Sequence, residues 1–269
     1  AVQVMDGPVL VLSGAGTGKT TVITWRIAWL IQSGVAPKNI LAMTFTNKSA
    51  REMKERMLEL LPKVKGSDLW VSTFHSFCCR VLRRHIDRLG YELCFAIADR
   101  SDQEGLLKQV MIELDLDNGE FGTGYYAGGI GHAKNAMQTP DEFREAAAGG
   151  WGDIIAAVYE RYQQLLKEMN LVDFDDLLLL TYRLWNQEPQ ILKEYTDRFH
   201  YLLVDEYQDT NTLQAELLRM LAAPRKNLCV VGDDDQAIYG WRGASVRNIL
   251  DFTDDEIAFG GHLEPECKV

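Results

Sequence analysis

Short apolar runs alternate with amphipathic stretches over the first ninety residues. Pro8-Val9-Leu10-Val11-Leu12 is a continuous apolar run, the pattern of a parallel strand buried on both faces. A Gly-rich turn follows. Lys19 to Ile31 then carries Val22, Ile23, Ile27, Leu30 and Ile31 on one helical face, with Ser33-Gly34 as the stop. Ile40 to Phe45 predicts a second strand. Thr46 or Asn47 can cap a helix that runs to about Leu61, where Pro62 ends it. Leu69 to Thr73 predicts a third strand, followed by a helix reaching Gly90.

The period then changes. After Phe95-Ala96-Ile97 no strand pattern is evident until Tyr201. Helical stretches run instead over Gln103–Leu114, Pro140–Ala147, Ile154–Met169, Phe174–Trp185 and Pro189–Asp197. The Gly-rich segment Gly119–Gly131 reads as a mobile loop. Strand and helix alternation resumes with Tyr201-Leu202-Leu203-Val204, a helix near Thr212–Leu221, and Leu228-Cys229-Val230-Val231. A crossover between parallel strands needs little more than one helix. The expectation is therefore an α/β domain with a parallel sheet, built from residues 1–90 and 199–269 and interrupted by an all-helical inserted subdomain at 91–198.

Composition narrows the class. The 269 residues are 46% hydrophobic and 25% charged, as in an ordinary globular protein with a sizeable core. No apolar run approaches the ~20 residues of a membrane span, and the first residues lack a signal-peptide pattern, so a cytoplasmic location is expected. The five cysteines and five histidines form no C-x-x-C or H-E-x-x-H arrangement, which speaks against a disulfide framework or a zinc site. The net charge of -11 argues against indiscriminate nucleic-acid binding. Two basic groups, Lys48/Arg51/Lys54/Arg56 and Arg80/Arg83/Arg84/Arg88, read mostly as solvated helix faces, with a narrow basic track as the other possibility.

The turn after the first strand carries the clearest chemistry. Gly14-Ala15-Gly16-Thr17-Gly18-Lys19-Thr20-Thr21 is a variant of G-x-x-x-x-G-K-[ST] with Ser13 at its first position, between a buried strand and an amphipathic helix. Glycines let backbone N–H groups face phosphate oxygens, and the helix N-terminus adds partial positive charge. Lys19 reaches the β- and γ-phosphates of a nucleotide, and Thr20 ligates Mg²⁺. Such a loop requires a carboxylate at the end of a second buried strand. Asp205 supplies it for the metal, and Glu206 is placed to act on the attacking water. Asp173-Phe174-Asp175-Asp176 reads as the start of a helix rather than a metal cluster. Asp233-Asp234-Asp235 lies either near the phosphates or in turn chemistry.

Four further motifs are more specific: Thr44-Phe45-Thr46-Asn47-Lys48-Ser49-Ala50-Arg51-Glu52-Met53, Thr73-Phe74-His75-Ser76-Phe77, Val204-Asp205-Glu206-Tyr207-Gln208-Asp209-Thr210-Asn211, and Val231-Gly232-Asp233-Asp234-Asp235-Gln236-Ala237-Ile238-Tyr239-Gly240-Trp241-Arg242-Gly243-Ala244. In this order they resemble the superfamily 1 DNA helicases of the UvrD/PcrA/Rep type over essentially the whole chain. The resemblance implies a RecA-like domain with a helical insertion that contacts duplex DNA, ATP and Mg²⁺ as cofactors, and 3′ to 5′ movement on single-stranded DNA at a single-strand/duplex junction. It implies that Gln236 senses the γ-phosphate. Phe45, Tyr239 and Trp241 would stack on bases, and Thr44, Asn47, His75 and Arg242 would line the DNA backbone track. It also implies a second RecA-like domain bearing arginines that complete the ATP site. That domain is not expected within these 269 residues, so the chain alone would hydrolyse slowly. Thr21 stands where relatives commonly have Arg, and their adenine-contacting Gln precedes the position of Ala1, so base selectivity is less defined than phosphate binding. The alternatives are a non-catalytic, nucleotide-dependent DNA-binding or scaffold module, and a small-molecule kinase with a lid insertion.

Overall fold

The computed structural model describes residues 1–14, 16–116, 119, 121–147, 149–233, 248 and 252. In chain order its elements are β1 (Val9–Leu12), α1 (Lys19–Gln32), β2 (Ile40–Thr44), α2 (Asn47–Leu60), β3 (Trp70–Thr73), α3 (Phe74–His85), β4 (Ala96–Ile97), α4 (Arg100–Glu113), α5 (Thr123–Asn135), α6 (Pro140–Ala147), α7 (Trp151–Glu168), β5 (Leu171–Val172), α8 (Phe174–Gln187), α9 (Pro189–Arg198), β6 (Tyr201–Val204), α10 (Thr212–Ala222) and β7 (Leu228–Gly232). The chain divides into two compact units, one of residues 1–77 with 189–269 and one of residues 78–188.

The first unit is built on a five-stranded sheet of order β1-β7-β6-β2-β3. Every pairing is parallel: Val9 lies opposite Cys229, Leu202 opposite Leu228, Ile40 opposite Tyr201, and Leu41 opposite Trp70. The continuous apolar runs follow from burial on both faces; β2 and β7 are buried at every position. One face packs Val9, Val11, Ile40, Ala42, Leu203 and Val231 against Ile23, Ile27 and Leu30 of α1 and Met53 and Met57 of α2. Thr46 caps α2 by accepting from the Ser49 N–H at 3.0 Å, and α1 ends with Gly34 at a φ of 99°. Because all five strands run the same way, the loops that follow them open along one edge of the sheet.

The second unit is helical apart from one short ladder. Its core gathers Leu107 and Val110 of α4, Tyr126, Ile130 and Ala133 of α5, and Val158, Tyr159, Tyr162 and Leu166 of α7. Two expectations are corrected here. Most of the Gly119–Gly131 segment is not a loop, because Thr123–Asn135 forms the helix α5. Glycine's poor helix propensity is outweighed by packing: Tyr126, Ile130 and Ala133 bury one face. A Cβ on Gly129 would lie 2.8 Å from Cγ2 of Ile155, so glycine permits the close approach of α5 to α7. Leu171–Val172 also forms a strand that pairs in parallel with Ala96–Ile97, two residues each, too short for periodicity to disclose. Asp173 starts α8 in a capping box, accepting from the Asp176 N–H at 2.8 Å while the Asp173 N–H donates to Asp176 Oδ2 at 3.2 Å. Among the described residues, no helix is long and apolar enough to cross a membrane and no cluster of His, Cys, Asp or Glu is arranged to hold a metal ion.

Candidate nucleotide site and strand-end loops

Ser13 extends the β1–β7 pairing one step into the loop, its N–H donating to the Gly232 carbonyl at 3.1 Å. The Thr17 hydroxyl lies 2.7 Å from the Gly14 carbonyl and 2.9 Å from Ser13 Oγ, drawing the loop into a tight turn. Gly16 and Gly18 have φ of 73° and 94°, conformations that side-chain-bearing residues rarely adopt. Gly18 is the N-cap of α1, and no side chain caps that helix. Its first N–H groups, with the helix dipole, therefore lack a side-chain acceptor, the condition that suits an anion. Gly14 and Gly16 have open space where a Cβ would project. Ala15 lies outside the described residues, and Thr17 and Thr21 are exposed.

Lys19 is 8% exposed, yet its amine sits between carboxylates from two other strand ends: Nζ is 3.4 Å from Asp233 Oδ2 and 3.7 Å from Glu206 Oε2. The Thr20 hydroxyl donates to Asp205 Oδ2 at 2.9 Å. The structure thus brings together residues separated by about 185 to 215 positions in sequence. β6 places the acids: the Asp205 N–H donates to the Met43 carbonyl at 3.0 Å, so the parallel β2–β6 ladder carries Asp205 to the sheet edge. Burial lifts the Asp205 carboxyl above the usual carboxylate range; the Thr20 hydroxyl works the other way by stabilising the charged form. The next residue, Glu206, adopts a left-handed backbone with φ 53° and ψ 49°, which turns its side chain toward Lys19.

Two residues that spacing did not single out belong to this cluster. Gln208, 2% exposed, donates from Nε2 to Glu206 Oε2 at 2.7 Å and accepts the Asp233 N–H on Oε1 at 3.0 Å. Asp209 is pushed up to about 6 by burial and then by the Glu206 charge. Both stand within the Val204–Asn211 motif, but their place there gives them no individual role.

The second and third strands end beside each other, and their loops touch: Ser76 Oγ donates to Asn47 Oδ1 at 3.4 Å. Asn47 is exposed and Phe45 half-buried. Thr44 is 1% exposed, with its hydroxyl donating to the Thr46 carbonyl at 3.0 Å. His75 is half-buried, and burial lowers its pKa to about 4, so its imidazole is neutral at pH 7. Gln236, Tyr239, Trp241 and Arg242 lie outside the described residues.

A parallel α/β sheet with a glycine loop feeding Lys-Thr into a helix, and an Asp-Glu pair on a neighbouring strand end, defines a RecA-like P-loop domain. Residues 1–256 match the UvrD/REP helicase N-terminal domain, and the chain belongs to that family. It is 48% identical over 256 residues to the ATP-dependent DNA helicase PcrA of Bacillus subtilis (strain 168), covering 95% of this chain and 34% of that protein. It is 46% identical over 256 residues to the ATP-dependent DNA helicase PcrA of Staphylococcus aureus (strain NCTC 8325 / PS 47), covering 95% of this chain and 35% of that protein. The chain spans about a third of the length of the curated relatives it matches.

Proposed function

We propose that this chain is the nucleotide-binding part of an ATP-dependent motor that moves 3′ to 5′ on single-stranded DNA and opens duplex at a junction, working in the cytoplasm. The observation that carries the reading is the convergence of Lys19, Thr20, Asp205 and Glu206 at one sheet edge, beside a helix N-terminus with no side-chain cap. The residues present fit Mg²⁺ and a nucleoside triphosphate. Thr20 Oγ1 and Asp205 Oδ2, 2.9 Å apart, form a hard oxygen pair of the kind magnesium takes. The Lys19 amine, now shared by two carboxylates, is placed to exchange them for phosphate oxygens.

Within this reading the glycine-loop N–H groups bind the β-phosphate, and Lys19 places its charge on the oxygens that gain charge during transfer. Bound Mg²⁺ would neutralise charge on the phosphate oxygens. Glu206 orients water and takes its proton. Gln236 couples the γ-phosphate to the DNA site, and Phe45, Tyr239 and Trp241 stack on bases without regard to sequence. Asn47, Thr44, His75 and Arg242 follow the strand. Thr44, buried, and His75, half-buried, do so as uncharged groups, so they support the loop and donate or accept hydrogen bonds rather than neutralise phosphate. Residues 91–198 are a helical insertion that meets the duplex, and a second RecA-like domain supplies arginines worth about 10³–10⁵ in rate.

The test is MgATP binding, and ATP hydrolysis with and without single-stranded DNA, beside a Lys19→Ala variant. Losing a charge-assisted contact of ~1.5–3 kcal/mol lowers affinity for MgATP by about ten- to a hundredfold. Unchanged binding and hydrolysis in Lys19→Ala would refute the reading.

A further inference from the structure

The contacts around Lys19 close into a ring. Lys19 Nζ lies 3.7 Å from Glu206 Oε2. Glu206 Oε2 accepts from Gln208 Nε2 at 2.7 Å, and Gln208 Oε1 accepts the Asp233 N–H at 3.0 Å. Asp233 Oδ2 returns to Lys19 Nζ at 3.4 Å. The chemistry of the two neighbours fixes which end of the Gln208 amide points where: a backbone N–H only donates and a carboxylate only accepts. A carboxamide does both without carrying charge. We infer that Gln208 is a positioning residue for hydrolysis, holding the Glu206 carboxylate in register with the end of β7.

The inference rests on the reading of Glu206 as the group that acts on water. Glu206 leaves β6 through a left-handed residue, and its side chain is about one-third exposed, so the backbone alone does not fix the carboxylate. Gln208 is buried and anchored to main chain, which makes it a rigid post. It engages Oε2, as Lys19 does, and neither of these contacts uses Oε1. The post therefore selects which oxygen is offered to water. When phosphate takes Lys19, one of the two contacts on Oε2 is given up, and the Gln208 contact is what keeps the carboxylate in place. The same side chain transmits any shift of Asp233, at the C-terminal end of β7, to Glu206.

Gln208→Glu keeps the length of the side chain and an acceptor for the Asp233 N–H, while its ionised carboxylate cannot donate to Glu206 and adds a negative charge beside it. Single-turnover hydrolysis and MgATP affinity are measured for Gln208→Glu, Glu206→Gln and the double variant, all with saturating single-stranded DNA, with thermal unfolding as the check on folding. Misplacing a catalytic group by about 1 Å costs on the order of 10²-fold. The expected result is hydrolysis tens- to a hundredfold slower in Gln208→Glu, with nucleotide affinity changed less than about threefold. In the Glu206→Gln background the same substitution costs little more, because the carboxylate it positions is gone. A full-strength Gln208→Glu enzyme, an equal loss in both backgrounds, or a loss that follows nucleotide affinity would each overturn the inference while leaving the Glu206 reading standing. Undiminished hydrolysis in Glu206→Gln alone would overturn both. Gln208→Leu, which removes both contacts without adding charge, is also expected to slow hydrolysis; a Gln208→Leu enzyme at full rate would overturn the assignment.

Discussion

Replacing Lys134 by Met tests the account of the second unit. Lys134 projects from α5 with Nζ 2.6 Å from Asp173 Oδ2 and 2.8 Å from Asp176 Oδ1. It and Asp176 are fully buried. Tyr162 donates to Asp173 Oδ2 at 3.2 Å, and Gln163 Nε2 lies 3.2 Å from both Asp176 oxygens. Burial opposes the charge on Lys134, but the two carboxylates outweigh it and hold the amine protonated. Asp176 is raised by burial and by Asp173. Asp175 nearby is pushed up to about 6, first by burial and then by Asp173. Met keeps the volume and removes the cation, leaving two buried carboxylates uncompensated, a change that costs about 3–5 kcal/mol. Against a domain stability of ~5–15 kcal/mol this is a large fraction. The assay is urea unfolding at pH 7.5 and 5.5. Burial already raises the Asp176 carboxyl, and Lys134 works against that rise, so without Lys134 its folded-state pKa lies further above its unfolded value. The variant is therefore weakest above that folded value and recovers as pH falls through it. The gap between wild type and Lys134→Met should accordingly narrow at pH 5.5. A loss below about 1 kcal/mol, or a gap independent of pH, would refute this account.

Two further outcomes are expected. Thr20→Val preserves shape but removes the hydroxyl that meets Asp205, and a hydrogen bond to a charged group is worth ~1.5–3 kcal/mol, so the Mg²⁺ needed for half-maximal nucleotide binding should rise about tenfold or more; fluorescent-nucleotide titration against Mg²⁺ reads this directly. His75→Gln should leave the dependence of single-stranded DNA affinity on salt unchanged, because His75 is neutral at pH 7, whereas loss of one cationic phosphate contact would reduce the log–log slope by about 0.7.

Features fixed by burial were legible before any coordinates. β2, β6 and β7 are buried along nearly their whole length, so their sequences are simply apolar. Asp173 announced a helix start because a cap depends on residues three apart. The helix α5 was hidden, since its run of glycines looks like a loop and the reason for Gly129 is Ile155, a residue of a different helix. The ladder of Ala96–Ile97 with Leu171–Val172 joins segments about 75 residues apart and leaves no local period. At the candidate nucleotide site, Lys19, Thr20, Asp205 and Glu206 stood out through spacing and context. Gln208 and Asp209 did not, because their part depends on where an amide and a carboxyl meet neighbours from other strands.

The left-handed backbone at Glu206 sets folding against chemistry. A non-glycine residue in that conformation costs on the order of 1–2 kcal/mol, and asparagine or glycine sits there more comfortably. Variants chosen only for heat resistance or yield would thus be drawn toward losing this carboxylate. With Glu206 in its proposed role, a lineage that retains glutamate here is under selection for turnover as well as for folding, and a sequence library enriched without an activity screen would record the difference at this one position.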